Sequence, residues 1–190
     1  QTDEGEAISG SFDYGNSSGF YAGIWGSNVG FAKDADIEID VYAGFSNEVG
    51  DSGVSYDIGA LRYMYPGTTN SSDHNGDGEP DGSGDLDWNE FYGFLSYSFF
   101  NIGVAYSGDF ANSSETAIYY SAGFDYDLPQ EFALSVGAGL YDYDEDIYGS
   151  NSPDSAVDYH LGVSKEFIGF GFDLTYYDTD SDAEKLYGKD

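Results

Sequence analysis

Residues 73–85 read DHNGDGEPDGSGD. Side-chain oxygens recur at alternate positions, Asp73, Asn75 and Asp77, and Gly78 follows in sixth place, where a calcium loop needs a sharp turn. Glu79 offers its backbone carbonyl, and Asp81 fills the ninth position directly or through a water. The twelfth position holds Gly84 where an EF-hand has its closing Glu, and Asp85 is available one residue on. The spacing therefore predicts a Ca2+ loop of the helix-free, aspartate-rich kind, binding in the ~10⁻⁴–10⁻³ M range of extracellular modules. The plainer alternative is a solvated acidic loop.

A second set of carboxylates falls on alternating segments. Glu38, Asp40, Asp57, Asp125, Asp158 and Asp173, with His160, occupy the polar parity of runs whose other parity is apolar. If that parity lines a lumen, the lining is anionic and nearly without bases, which favours cations. Carboxylates at strand ends, or in a plugged interior, are the alternative. His160 lies near Asp158 and Ser164 on one face, yet no set of nucleophile, base and orienting group can be read, so an enzyme is not expected. The acidic stretch YDYDEDIYGSNSPDS lacks a ligand spacing and reads as solvated.

The elements that must hold these groups are strands. In DIEIDVYAGF, Ile37, Ile39, Val41, Ala43 and Phe45 share one face, opposite Asp36, Glu38, Asp40, Tyr42 and Gly44. EFALSVGAGLY, AVDYHLGVS and GFGFDLTYY repeat the pattern. Ten strands follow, at about 6–14, 19–27, 36–46, 54–65, 87–99, 101–107, 115–127, 131–142, 156–165 and 168–177, with no helix needed. Most match the roughly nine to eleven residues that cross a bilayer at a tilt. Short connections (15–18, 47–52, 100, 128–130, 166–167) alternate with long ones (28–35, 66–86, 108–114, 143–155). This is an up-and-down meander with one end trimmed and the other elaborated, as in outer-membrane barrels. Trp25, Tyr63, Tyr65, Trp88, Tyr106, Tyr119, Tyr141 and Tyr176 stand near the long-loop ends. Tyr14, Phe20, Phe45, Phe99, Tyr126, Phe132 and Phe170 stand near the short turns, and two interfacial girdles are expected. Arg62 and Glu90 fit the alternation poorly. Arg62 calls for a bulge or for snorkelling to an interface.

Composition narrows the partners. Five Lys and Arg stand against 36 Asp and Glu, for a formal charge of −31, so nucleic acid would be repelled. Aromatics reach 18 %, with 19 Tyr and 14 Phe, which argues against disorder despite the charge. There is no cysteine, so neither disulfides nor thiolate metal sites are available. No apolar run reaches the roughly 18 residues of a spanning helix. A soluble β-fold would put the apolar parity inward. The Gly, Ser and Ala mixed with acids on the other parity suit a crowded polar interior better.

The stretches QTDEGEAISGSFDY, SGFYAGIWGSNV, DIEIDVYAGFS, GVSYDIG followed by YMYPG, GVAYS and FDLTYYDTD resemble the TorF family of porin-like bacterial proteins, whose function is poorly defined. The resemblance implies an outer-membrane barrel with one strand before residue 1 and a closing strand after residue 190, and it carries over no catalytic residues. Counting strand directions leads to the same number, since both ends of the ten-strand run fall at the long-loop end. The expectation is thus one all-β domain over 1–190: an antiparallel up-and-down transmembrane β-barrel with ten strands present and twelve in the complete protein. It would sit in the bacterial outer membrane, in contact with lipid and lipopolysaccharide, as a small channel favouring cations or small solutes, with an acidic Ca2+-binding outer loop. The alternative is a surface-exposed or secreted β-protein that self-assembles into a homo-oligomer through edge strands and calcium.

Overall fold

A computed structural model of the chain describes residues 6–30, 36–66, 86–144 and 152–187. Ten strands form one antiparallel sheet in sequence order: β1 (Ser9–Gly15), β2 (Phe20–Asn28), β3 (Ile37–Glu48), β4 (Val54–Met64), β5 (Trp88–Tyr97), β6 (Phe100–Ser107), β7 (Ala117–Leu128), β8 (Phe132–Tyr143), β9 (Ser155–Phe167) and β10 (Phe170–Thr179). Each strand pairs with its neighbours in the chain, and no ladder joins β1 to β10 among the described residues, so the sheet is open along that seam. The expected ten strands are all present, with ends shifted by a few residues.

The turns at the trimmed end show why the chain reverses where it does. Asn16 Oδ1 accepts the Ser18 N–H at 2.8 Å, and Gly19 takes the left-handed conformation (φ 98°), a local bond that bends the backbone without help from the sheet. Ile168 and Gly169 form a two-residue hairpin loop with φ of 53° and 77°. A β-branched residue rarely adopts that geometry, and this is why the sequence reading placed the connection two residues earlier.

Faces follow from register. Asp40 of β3 pairs with Trp25 and Tyr63, and Tyr42 with Gly23 and Leu61, which puts all six on one side. On that side the Tyr21 hydroxyl of β2 lies 2.6 Å from the Tyr92 hydroxyl of β5. Strands spaced ~4.8 Å apart would hold β2 and β5 roughly 14 Å apart in a flat sheet. The sheet is therefore strongly curled, with this face concave.

Concave packing runs on tyrosine laid over glycine. The Tyr42 ring covers Gly23, Tyr21 covers Gly44, and Tyr92 covers Gly59, each directly across a ladder. A side chain at any of these glycines would overlap the ring. At Gly44 and Gly59 it would also meet backbone, with Ile58 O and Ala43 O each 2.8 Å from the added carbon. Glycine abundance and tyrosine abundance are thus one feature seen from two strands.

One helix departs from the all-strand expectation: α1, Ser181–Tyr187. Asp180 caps it, accepting the Ala183 N–H on Oδ1 at 2.9 Å while its carbonyl accepts the Glu184 N–H at 3.1 Å. Ala183 is 1 % exposed and packs with Ala117, Tyr143 and Ala156 at the long-loop end of β7–β9.

Gly44→Val is expected to lower stability by about 1–3 kcal/mol through overpacking against ring and backbone. Gly10→Val, where a side chain meets open space, should change it little. Urea midpoints of the detergent-folded protein followed by tryptophan fluorescence check both.

Candidate functional site

The two faces of the sheet have opposite chemistry, and the apolar one is outside. Val41, Ile58, Leu95, Ile102, Val136, Leu161, Phe172 and Leu174 all lie on the convex face and are exposed. Thirty-three large hydrophobics are exposed among the described residues, against seven buried hydrophobics, four of them alanine. A water-soluble fold cannot tolerate that ratio, because contiguous apolar surface of such extent drives association. The opposite arrangement, with Ile39, Val41, Leu134 and Val136 packed in a dry centre, does not occur.

The concave face collects the carboxylates. Asp13, Glu38, Asp40, Asp57, Glu90, Asp125, Asp158 and Asp173 all project there, by their registers with Gly23, Ser27, Tyr63, Ser46, Leu61, Ser135, Gly139 and Ser164. Their donors are mostly neutral. Tyr42 OH bonds to Asp13, Tyr21 OH to Asp57 Oδ1 (2.5 Å), Tyr65 OH to Glu38 Oε1 (2.9 Å), and Tyr119 OH to Asp158 Oδ2 (3.1 Å). Asn101 Nδ2 donates to Asp125 Oδ2 at 2.8 Å, and Thr175 Oγ1 to Asp173 Oδ1 at 2.8 Å. Asp40 Oδ1 is shielded from solvent and has no hydrogen-bond partner among the described residues, and neither does Trp88 Nε1.

No strand turns Lys or Arg to this face. Arg62 and Lys165, the bases within described strands, point outward near opposite ends. Arg62 needs no bulge: it stands at the long-loop edge, donating to Asp87 Oδ2 at 3.1 Å and Asn89 Oδ1 at 3.2 Å. Lys165 Nζ lies 4.4 Å from the centroid of the Phe132 ring, at the short-turn edge. These two positions bracket the apolar belt, as long basic side chains do when they reach out of hydrocarbon.

The seven carboxylate and imidazole groups expected to share a face do share it. Asp13 and Glu90 belong with them. Glu90 fits the alternation poorly because its strand carries the large apolar residue Phe94 on the polar parity; its ladder partner Leu61 places it inward. His160 Nε2 lies 3.2 Å from Ser135 Oγ, in an inner-wall cavity of about 190 Å3 shared with Asp125, Asp158, Tyr119 and Asn101. Asp158 is engaged by Tyr119, and no hydrogen bond links it to His160 among the described residues, so no orienting group completes a hydrolytic set there. The loop expected to bind Ca2+, with Asp73, Asn75, Asp77, Glu79, Asp81 and Asp85, lies outside the described residues.

The girdles need correction at one end. The aromatics near the short turns do face outward: Tyr14, Phe20, Phe45, Tyr126, Phe132 and Phe170. Of the eight aromatics expected at the long-loop end, Tyr106 and Tyr176 alone do so. Trp25, Tyr63, Tyr65, Trp88, Tyr119 and Tyr141 share parity with the acids and turn inward. Trp88 stacks on Tyr63 (4.1 Å between centroids) and Tyr65 (5.7 Å), and the Tyr141 ring lies tilted against Tyr119 (4.4 Å). The buried apolar groups sit here, at the long-loop mouth of the concave face, with α1 against them.

A family model described as a bacterial protein of unknown function (Gcw_chp) matches residues 1–189. The comparison with curated proteins finds no match. Among solved structures, a porin is similar over 90 % of this chain, with 15 % identity and a TM-score of 0.44; the chain spans about half, 55 %, of that porin.

The cap of α1 gives a pH prediction. The Ala183 N–H holds the Asp180 carboxyl below the usual carboxylate range. A depressed carboxylate adds stability above its unfolded pKa of about 3.9, and that contribution is lost as pH falls through the lower folded value. Asp180→Ala should remove about 1 kcal/mol of helix stability at neutral pH. Hydrogen exchange at the Ala183 and Glu184 amides should speed up correspondingly, while the wild type shows the same loosening only below about pH 4.

Proposed function

The chain belongs to the Gcw_chp family of bacterial proteins of unknown function, and from that premise we propose that it acts as a bacterial outer-membrane β-barrel whose acid-lined interior passes cations. One observation carries this reading. The strands present apolar side chains outward in a belt bracketed by Arg62 and Lys165, and carboxylates without Lys or Arg inward. The belt suits the hydrocarbon of the outer membrane, with lipopolysaccharide around its elaborated end. Its interior suits cations, because carboxylates gathered on one face with no Lys or Arg among them attract counter-ions and repel anions. The resemblance of SGFYAGIWGSNV and its companion stretches to the TorF porins points the same way. The loop at 73–85 adds a Ca2+ site on the elaborated end, where the ion would offset part of the loop's charge.

The unpaired edges of β1 and β10 favour a second reading. In it the protein is displayed at the cell surface or secreted, and its copies join edge to edge with calcium. Bare edges in hydrocarbon leave backbone N–H and C=O groups unsatisfied at several kcal/mol each, so in a membrane this seam must be paired.

Recordings in planar bilayers under a tenfold KCl gradient should give a reversal potential on the cation side, approaching the Nernst limit of about 59 mV. Neutralising Asp57, Asp125 and Asp158 together as Asn should move it toward zero. An anion-selective or silent protein, with ordered polymers forming in calcium, would sink the channel and leave the assembly reading. Separately, calorimetric titration should show one Ca2+ site in the ~10⁻⁴–10⁻³ M range, abolished by Asp73→Ala with Asp77→Ala. Absence of saturable heat would return the loop to plain solvation.

A further inference from the structure

The connection between β6 and β7 does not stay outside. Residues 110–112 form a 3₁₀ turn that carries Phe110 over the concave face, where its ring lies 5.2 Å from Trp88 of β5 and 5.6 Å from Tyr143 of β8. β5 and β8 are separated by two strands, so one side chain spans a chord of the curled sheet. With Tyr141 at 6.4 Å, and Trp88 stacked on Tyr63 and Tyr65, the rings form one continuous layer from β4 to β8.

The loop is built to keep this pose. Asp109 N–H donates to Ser107 Oγ at 3.3 Å, and Asp109 Oδ1 accepts the Ser114 N–H at 2.8 Å. The Phe110 carbonyl accepts both the Ser113 N–H (3.0 Å) and the Ser113 hydroxyl (2.7 Å). Phe110 N–H donates to Glu115 O at 3.0 Å, and Asp144 Oδ2 accepts the Thr116 N–H at 3.1 Å. Three non-glycine residues, Ala111 (φ 51°), Asn112 (φ 57°) and Ser114 (φ 64°), are held in the left-handed region. The loop's own hydrogen bonds, the tie to Asp144 and the ring contacts of Phe110 hold that conformation together, as expected of a segment whose position matters.

We propose that Phe110 is the constriction of the lumen, the side chain that sets the size of what passes, and that the loop at 108–114 serves to hold it there. The proposal rests on the channel reading. An apolar ring layer at the mouth, above a carboxylate-lined wall, makes a cation shed or squeeze its water before it reaches Asp57 and Asp158. Size selection and charge selection thereby fall to different residues: Phe110 and its ring partners for the first, the carboxylates for the second.

Unit conductance of the wild type, Phe110→Gly and Phe110→Trp in planar bilayers tests it. Phe110→Gly should raise unit conductance about two- to threefold and admit larger organic cations such as tetraethylammonium, whereas Phe110→Trp should lower it, with cation preference kept in both. The Trp variant keeps the ring packing, so the test survives if the Gly variant fails to fold. Equal conductance and equal size cut-off in all folded forms would overturn the constriction while leaving a channel. No current from any correctly folded form would overturn the channel reading and the constriction with it.

Discussion

A sheet that turns its polar side chains inward has little dry apolar core, here two small clusters at the long-loop end, so most of its cohesion must come from elsewhere. Here it comes from continuous antiparallel ladders and from inward rings seated on inward glycines. The second device depends on the first. Tyr21 can cover Gly44 only because β2 and β3 pair in one register, and a slip by one residue would turn the slipped strand's rings to the convex face and its apolar residues to the concave one. The close approach at Gly44 and Gly59, facing each other across β3 and β4, also lets the wall curl enough for Tyr21 to meet Tyr92. Curl, register and composition are therefore one constraint.

That constraint explains which features could be read from residues alone. Alternation reports the face directly, so all ten strands and the shared face of Glu38, Asp40, Asp57, Asp125, Asp158, His160 and Asp173 were legible. Height along a strand was legible too, from distance to the turns. The error over Trp25, Tyr63, Trp88 and Tyr141 came from using height where parity decided: an aromatic near a strand end can face either side of the sheet, and only its register with Asp40 or Tyr119 tells which. Asp180 to Leu186 gives no sign of a helix until Ala183 is seen buried against Ala156; a helix of seven residues is fixed by its cap and its packing, not by periodicity. The inward fold of Phe110 had no signal, because its partners come from β5 and β8 and the loop's own sequence, GDFANSS, is ordinary turn chemistry.

The choice of donor for the inward carboxylates has a consequence for function. An Arg or Lys partner would satisfy Asp57 or Asp158 more strongly, and would also cancel its charge. Tyr21 and Tyr119 hold the same carboxylates through neutral hydroxyls, which fix the position and leave the charge in place. A carboxylate has about four lone-pair sites, and a single phenol occupies one. The remaining oxygens have no Lys or Arg partner among the described residues. Tyrosine thus does two jobs at each site, covering a glycine with its ring and orienting an acid with its hydroxyl. A wall built this way can be densely acidic and still be positioned, which random surface carboxylates are not. The two strand bases stand on the convex face at opposite edges of the apolar belt, away from the inward carboxylates.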